Sequence, residues 1–173
     1  DPGGSSPCAE AIDCRPAAAD PGSVWGEKPD RRGHRRSRRR ALLVAVYLDT
    51  SAATKLVVSE AGSTSLRRWI AALDEPVVSS DLVRTELLRA VRRRKPSAMT
   101  QARAVLDSIT LTDMPTSLFE RAALLEPIGL RSLDALHIAA ALDLGDELSA
   151  IVTYDDRMVE AIEALGLIAL SPR

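Results

Sequence analysis

The stretch Leu42-Leu43-Val44-Ala45-Val46-Tyr47-Leu48-Asp49-Thr50-Ser51 sets the architecture. A short unbroken apolar run suits a strand whose two faces are both covered, because successive side chains point to opposite sides and each must meet a core. Asp49 ends the run, and Thr50 or Ser51 offers a hydroxyl to cap a helix expected to reach about Ser59, before Gly62 breaks it. The same succession recurs downstream. Pro76–Ser80 reads as a second strand, and Asp81 as the cap of a helix over Leu82–Lys95 that Pro96 stops. Residues 63–74, 97–109, 116–126 and 132–144 read as helices, the first carrying Leu66, Ile70 and Leu73 on one stripe. Thr110–Met114 and Ala150–Thr153 read as strands, a helix over 156–165 ends at Gly166, and Leu167–Leu170 closes the sheet. Strands alternating with helices predict an α/β fold with a mostly parallel sheet and helices on both faces. In such sheets, sites lie beyond the carboxyl ends of the strands.

Four acids stand out against this frame: Asp49, Glu86, Asp134 and Asp155. Asp49 ends the first strand and Asp155 follows the fourth, so both are expected in one crevice. Glu86 sits one turn into its helix, beside a stripe expected to bury Val83, Leu87 and Ala90. Asp134 opens Leu133-Asp134-Ala135-Leu136-His137-Ile138-Ala139-Ala140-Ala141, a helix apolar nearly all round and therefore buried, where an unpaired charge is costly. Taken singly, each acid also fits a plainer role: a helix cap for Asp49 and Asp134, a surface charge for Glu86. Asp155 and Asp156 divide two tasks, one ligating and the other capping, with Asp155 expected as the ligand. Carboxylates brought together repel unless a cation neutralises them, and hard oxygen ligands suit Mg²⁺ or Mn²⁺. The set predicts a metal-dependent enzyme acting on a phosphodiester. His137 is expected to be a packed core residue, Trp69 and Tyr154 packing residues, and Asp113 and Glu60 surface charges.

The 173-residue chain suits one domain with a real core, and no repeat or second domain is visible. Net charge is −1, but residues 1–45 hold nine Lys and Arg against six Asp and Glu, leaving the rest mildly acidic. That balance argues against a general nucleic-acid binder. Residues 1–43 are rich in Pro, Gly, Ser and Arg, and are expected to be a disordered basic tail whose run from Arg31 to Arg40 is either a solvated face or an electrostatic RNA contact. The tail is open to being non-native, since Val44 or Val46 could begin a chain that opens on the first strand. Mass spectrometry of the native N-terminus decides this, and a mature end near residue 1 would rule it out. Cys8 and Cys14 both fall in the tail, so neither a disulfide framework nor a Cys/His metal site is expected. No apolar run reaches the ~18 residues of a membrane span, and a cytoplasmic home is expected.

Together, Tyr47-Leu48-Asp49-Thr50-Ser51-Ala52, Arg84-Thr85-Glu86-Leu87, Leu133-Asp134-Ala135-Leu136-His137-Ile138-Ala139 and Val152-Thr153-Tyr154-Asp155 resemble the successive motifs of PIN-domain nucleases, and most closely the VapC-type toxins of bacterial toxin–antitoxin pairs. The resemblance covers roughly residues 46–173 and none of the tail. It implies a PIN-like three-layer α/β/α sandwich over 44–173, Mg²⁺- or Mn²⁺-dependent endoribonuclease activity, a homodimer, and inhibition by a VapB-type antitoxin. Asp49, Glu86, Asp134 and Asp155 would then hold one or two ions beside the RNA. Thr50, Ser51 and Thr153 would orient water, phosphate or the acids. Arg84, Arg89, Arg92 and Arg93, with Arg94 and Lys95, would guide the RNA backbone or form a solvated helix face. Rival readings are a housekeeping RNA-processing nuclease without an antitoxin, a non-catalytic RNA- or partner-binding module, and an aspartyl-phosphate phosphotransferase. The last needs an Asp two places after Asp49, where Ser51 stands.

Overall fold

A computed structural model describes residues 44–173; the basic tail, Cys8 and Cys14 lie outside the described residues. The elements run β1 (Ala45–Leu48), α1 (Thr50–Val57), α2 (Ser63–Ala71), β2 (Val77–Ser80), α3 (Leu82–Arg94), α4 (Met99–Ser108), β3 (Thr110–Thr112), α5 (Thr116–Ala123), α6 (Ser132–Leu142), β4 (Leu148–Val152), α7 (Asp156–Ala164) and β5 (Ala169–Leu170). Short 3-10 turns at Pro96–Ala98 and Gly145–Glu147 precede α4 and β4.

The strands form one sheet in the order β3-β2-β1-β4-β5, and every pairing is parallel. The chain winds outward from β1 to β2 and β3 on one side, then crosses back to place β4 on the other. The direction of winding therefore reverses between β1 and β4, where open parallel sheets leave a crevice at their carboxyl ends. The Asp49 amide donates to Val152 O at 3.0 Å, which carries the ladder past β1 and holds Asp49 against the end of β4.

Strand alternation sorts the core into two layers. Val46, Leu48 and Val152 pack under α1 to α4 with Val57, Leu66, Val83, Leu87, Val91 and Leu106. Tyr47 and Ile151 point the other way, against Leu118, Ile138, Met158 and Ile162 of α5 to α7. Two helical layers on one parallel sheet are the expected sandwich. Among the described residues no helix is long and apolar enough to cross a membrane.

Local expectations shift where side chains compete. The α1 cap is Asp49, not Thr50 or Ser51: its Oδ2 accepts from the Ser51 amide at 3.0 Å, because a carboxylate one residue earlier reaches the orphan N–H first. Asp81 holds the cap position of α3 but makes no capping bond; Arg84 Nε takes its carboxylate at 2.9 Å instead. The buried stripe of α3 ends on Val91 rather than Ala90, keeping a four-residue step from Val83 through Leu87. β4 begins at Leu148, two residues before the expected Ala150, and β3 stops at Thr112. Gly62 breaks the chain between α1 and α2 as expected, with a φ of +85° that favours glycine.

Candidate active site

Asp49 leaves β1 already committed to one geometry. Its Oδ2 accepts from the Ser51 amide, from Ser51 Oγ at 2.6 Å and from Thr153 Oγ1 at 3.0 Å, the last reaching across from the end of β4. Ser51 Oγ accepts in turn from the Tyr154 amide at 2.8 Å. Three donors on one oxygen fix the rotamer and leave Oδ1 turned toward the crevice, 3.7 Å from His137 Nε2. The expected hydroxyls Ser51 and Thr153 therefore act on the acid.

Glu86 reaches the same place from α3. Its Oε2 accepts from Thr50 Oγ1 at 2.5 Å and lies 2.7 Å from His137 Nε2. Burial pushes the Glu86 carboxyl up, but the bonds from His137 and Thr50 and the charge of His137 outweigh it, leaving the group below its ordinary range. His137 answers with the opposite shift. Burial pulls the imidazole down, and the bond to Glu86 with the charges of Asp49, Glu86 and Asp134 more than restores it. The two directions agree on an ion pair. His137 is buried as expected, yet it faces the acids rather than only the apolar core: Nδ1 lies 2.8 Å from the Tyr47 hydroxyl, which donates to Ser80 Oγ at 3.0 Å.

Asp134 stands in the first turn of α6. Its Oδ2 is buried without a hydrogen-bond partner, and no other buried side-chain oxygen or nitrogen among the described residues is left so. Burial pushes its carboxyl up, and the negative charges of Asp155 and Asp49 push further; Arg131 and His137 pull the other way. Asp155 is the cap of α7, with Oδ1 accepting from the Arg157 amide at 3.0 Å and the Met158 amide at 3.4 Å, while Oδ2 has Arg131 at 3.9 Å. The expected division of labour fails here. Asp155 caps, and Asp156 lies exposed in the helix's first turn.

One pattern runs through the set. In Asp49, Glu86 and Asp155 one oxygen is held by protein donors, while the second makes no hydrogen bond among the described residues. Asp134 adds a buried oxygen with no hydrogen-bond partner among those residues. With all four ionised, His137 and Arg131 leave an excess of two negative charges, which one divalent ion would balance. Among the described residues no three such groups are drawn into a closed ligand set. Mg²⁺ keeps several waters and takes only one or two carboxylates directly, so a closed protein cage is not what it requires. The donors present therefore fit a hard divalent cation.

The arginines divide. Arg89, Arg92 and Arg93 line a hollow of about 280 Å³ that holds none of the four acids. Arg84 pairs with Asp81 beside a separate hollow. Arg93 also borders a cavity with Ser51, Lys55 and Arg94, where Glu60 pairs with Lys55 at 3.2 Å and Arg94 at 2.5 Å. A cavity of about 520 Å³ opens directly beside Asp134, and its arginines are Arg131 and Arg157. Sequence reasoning did not single these out; their positions just before Asp134 and just after Asp155 were the available signal.

The PIN domain family profile matches residues 46–163. Ribonuclease VapC47 of Mycobacterium tuberculosis (strain CDC 1551 / Oshkosh) is 40% identical over 131 residues, covering 73% of this chain and 96% of that protein. Ribonuclease VapC46 of Mycobacterium tuberculosis (strain ATCC 25618 / H37Rv) is 40% identical over 130 residues, covering 75% and 99%. The crystal structure of Mycobacterium tuberculosis VapC20, described as a sarcin-ricin-loop-cleaving toxin, superposes with a TM-score of 0.62 at 20% identity over 73% of this chain and 99% of its own. A toxin–antitoxin complex from Klebsiella pneumoniae gives 0.58 at 16%, over 74% and 98%. At those identities the solved structures speak to the fold alone. The family profile and the curated relatives go further: this chain belongs to the PIN-domain family, among its VapC ribonucleases.

Proposed function

We propose that the chain is a divalent-metal-dependent endoribonuclease, the toxin of a toxin–antitoxin pair, that cuts structured RNA in the cytoplasm and is silenced by a VapB-type antitoxin. The observation that carries the reading is the oxygen on each of Asp49, Glu86, Asp134 and Asp155 that makes no hydrogen bond among the described residues. Curated relatives named as ribonucleases support the reaction. One structure of the same fold is itself a toxin–antitoxin complex.

Asp49, Glu86, Asp134 and Asp155 would hold the ion or ions. Mg²⁺ or Mn²⁺ bound there supplies Lewis-acid activation of the phosphodiester and of a water nucleophile. The protein's own contribution is orientation. Ser51 and Thr153 fix Asp49, Thr50 and His137 fix Glu86, and the first turn of α7 fixes Asp155. Few aromatic side chains, 3% of the chain, leave few stacking platforms, so recognition rests on RNA shape and backbone.

The homodimer is part of the proposal. Phe119, Leu124 and Ile128 are 48%, 84% and 90% exposed around an apolar hollow of about 480 Å³ between α5 and α6. A second copy covering this face would remove it from water. Sedimentation should give a dimer, and Leu124→Asp with Ile128→Asp a folded monomer.

The activity test is incubation of purified protein with total RNA and Mg²⁺ or Mn²⁺, beside Asp49→Ala and Asp134→Ala. Cleavage should stop in EDTA and in both variants, and cleavage that survives all three refutes the reading. Induction of the gene alone should arrest growth, and induction of Asp49→Ala should not.

A further inference from the structure

Of the four acids, Glu86 is the one whose position its own backbone controls least. Asp49, Asp134 and Asp155 have short side chains at the ends of strands or in the first turn of a helix. Glu86 projects from within α3 on one more rotatable bond, and it is only partly buried. Something outside α3 must hold its carboxylate.

His137 supplies the hold. Its side chain is 2% exposed, and a buried imidazole is costly unless both nitrogens find partners. Both do. Nε2 lies 2.7 Å from Glu86 Oε2 and 3.1 Å from Thr50 Oγ1, while Asp49 Oδ1 at 3.7 Å is beyond a hydrogen bond. Because Oε2 already accepts from Thr50, the short contact needs a proton on Nε2. That proton makes Nε2 a donor and removes it as a ligand for any cation. The ring cannot turn away, because Nδ1 is tied at 2.8 Å to the Tyr47 hydroxyl and that hydroxyl to Ser80 Oγ at 3.0 Å. Tyr47 and Ser80 are both fully buried, on adjacent strands of the sheet. Tyr47 also meets the imidazole edge-on, with ring centres 5.9 Å apart at 70°.

We propose that His137 is a positioning residue for Glu86: through Tyr47 and Ser80 it anchors the carboxylate to β1 and β2, so that Oε2 is held and Oε1 presented to the crevice. The inference rests on the nuclease reading above. A leucine at 137 would pack in the same space between sheet and helix, so the packing alone does not call for histidine. The donor on Glu86 does.

Groups that orient ligating carboxylates typically cost about 10- to 100-fold in metal affinity or activity when removed. The experiment measures Mn²⁺ affinity by titration calorimetry and steady-state cleavage of a fluorescence-quenched mixed-sequence RNA. The variants are His137→Leu, His137→Gln, Tyr47→Phe, Glu86→Gln and the His137→Leu/Glu86→Gln double. His137→Leu should weaken Mn²⁺ binding and lower kcat by 10- to 100-fold, with KM for RNA within about twofold. His137→Gln, which keeps a donor near the Nε2 position, should recover part of the loss. Tyr47→Phe, which touches no acid, should lose severalfold in the same two quantities. In the Glu86→Gln background His137→Leu should cost almost nothing further, because there is no longer a carboxylate to hold.

Equal losses from His137→Leu in both backgrounds would mark a packing role and overturn the proposal, as would unchanged Mn²⁺ affinity and kcat in His137→Leu or, should that variant not fold, in Tyr47→Phe. A wild-type protein that neither binds Mn²⁺ nor cuts RNA is a different outcome: it removes the nuclease reading itself, and this inference with it.

Discussion

Asp134→Asn is the substitution on which the metal reading predicts opposite effects in two conditions. Among the described residues Asp134 carries the one buried side-chain oxygen without a hydrogen-bond partner, and its carboxyl is pushed up first by burial and then by Asp155 and Asp49. A carboxylate whose folded-state pKa is raised favours the fold below its ordinary value of 3.8, and that contribution is lost as pH rises through the folded-state value. At neutral pH without metal, charged Asp134 therefore burdens the fold. Asn keeps the shape and removes the charge. An unpaired buried polar group costs about 1–3 kcal/mol and a charged one more, so Asn removes only the excess due to charge; because Asp134 is only half-buried and solvent screens its neighbours, that excess is at the low end. In EDTA the variant should gain on the order of 1 kcal/mol, or roughly 4 °C in Tm for a domain of this size. With Mn²⁺ at about a hundred times its Kd the wild type should gain about 2.7 kcal/mol from binding, and the variant much less. Cleavage should fall at least ~100-fold, since a ligand to the activating ion is lost. Thermal melts of both proteins in EDTA and in Mn²⁺, with cleavage measured on the same samples, make the check. An Asn variant that melts lower in EDTA, or that keeps the full Mn²⁺ shift, would show that Asp134 is a structural acid and not a ligand.

Three further outcomes are expected. The Glu86–His137 pair sets a pH window for the metal-free protein: the lowered Glu86 contributes stability above its ordinary 4.5 and loses it as pH falls through its folded value, while the raised His137 contributes below 6.5 and loses it as pH rises through its own. Melts in EDTA should therefore peak between those limits, and His137→Gln should flatten the alkaline side; an unchanged profile in that variant would contradict the ion pair. Arg131→Gln and Arg157→Gln, which change the cavity beside Asp134, should each lower the salt slope of RNA binding by about 0.7 to 1, measured in an Asp49→Ala background with labelled RNA, whereas Arg92→Gln should leave it flat. Leu87→Ala, at a fully buried site beneath α3, should cost about 2–5 kcal/mol in chemical denaturation, and less than 1 would mean that the two-layer core is packed differently.

What the sequence disclosed and what it hid follow from one physical distinction. The apolar run before Asp49, the stripe of α3 and the all-round apolar α6 are local and periodic signals. Burial on two faces or one leaves a pattern within a few residues, and the alternation of strands and helices implies a parallel sheet, whereas the strand order with its reversal at β1 is visible only in the fold. Asp49 was legible as a strand-end acid and as one of three candidate caps of α1, but the choice among Asp49, Thr50 and Ser51 was not, because sequence spacing cannot say whether a carboxylate or the next hydroxyl reaches the free amide first. The same limit hid which of Asp155 and Asp156 caps α7: both stand where a cap is needed, and only backbone geometry shows that Asp155 takes the amides of Arg157 and Met158. His137 shows the deeper limit. Its partners are 51 positions away at Glu86, 87 at Thr50 and 90 at Tyr47, and each of those residues looks ordinary in its own segment. Tyr47 reads as one more large side chain in a buried strand, and His137 as a histidine packed in a helix that is apolar elsewhere. Polar groups that satisfy one another across the core leave no period and no spacing, since the fold alone brings them together. The arginines repeat the lesson in reverse. Arg89, Arg92 and Arg93 announce a basic helix face, yet the cavity beside Asp134 is flanked by Arg131 and Arg157, two residues whose only mark in the sequence is adjacency to an acid.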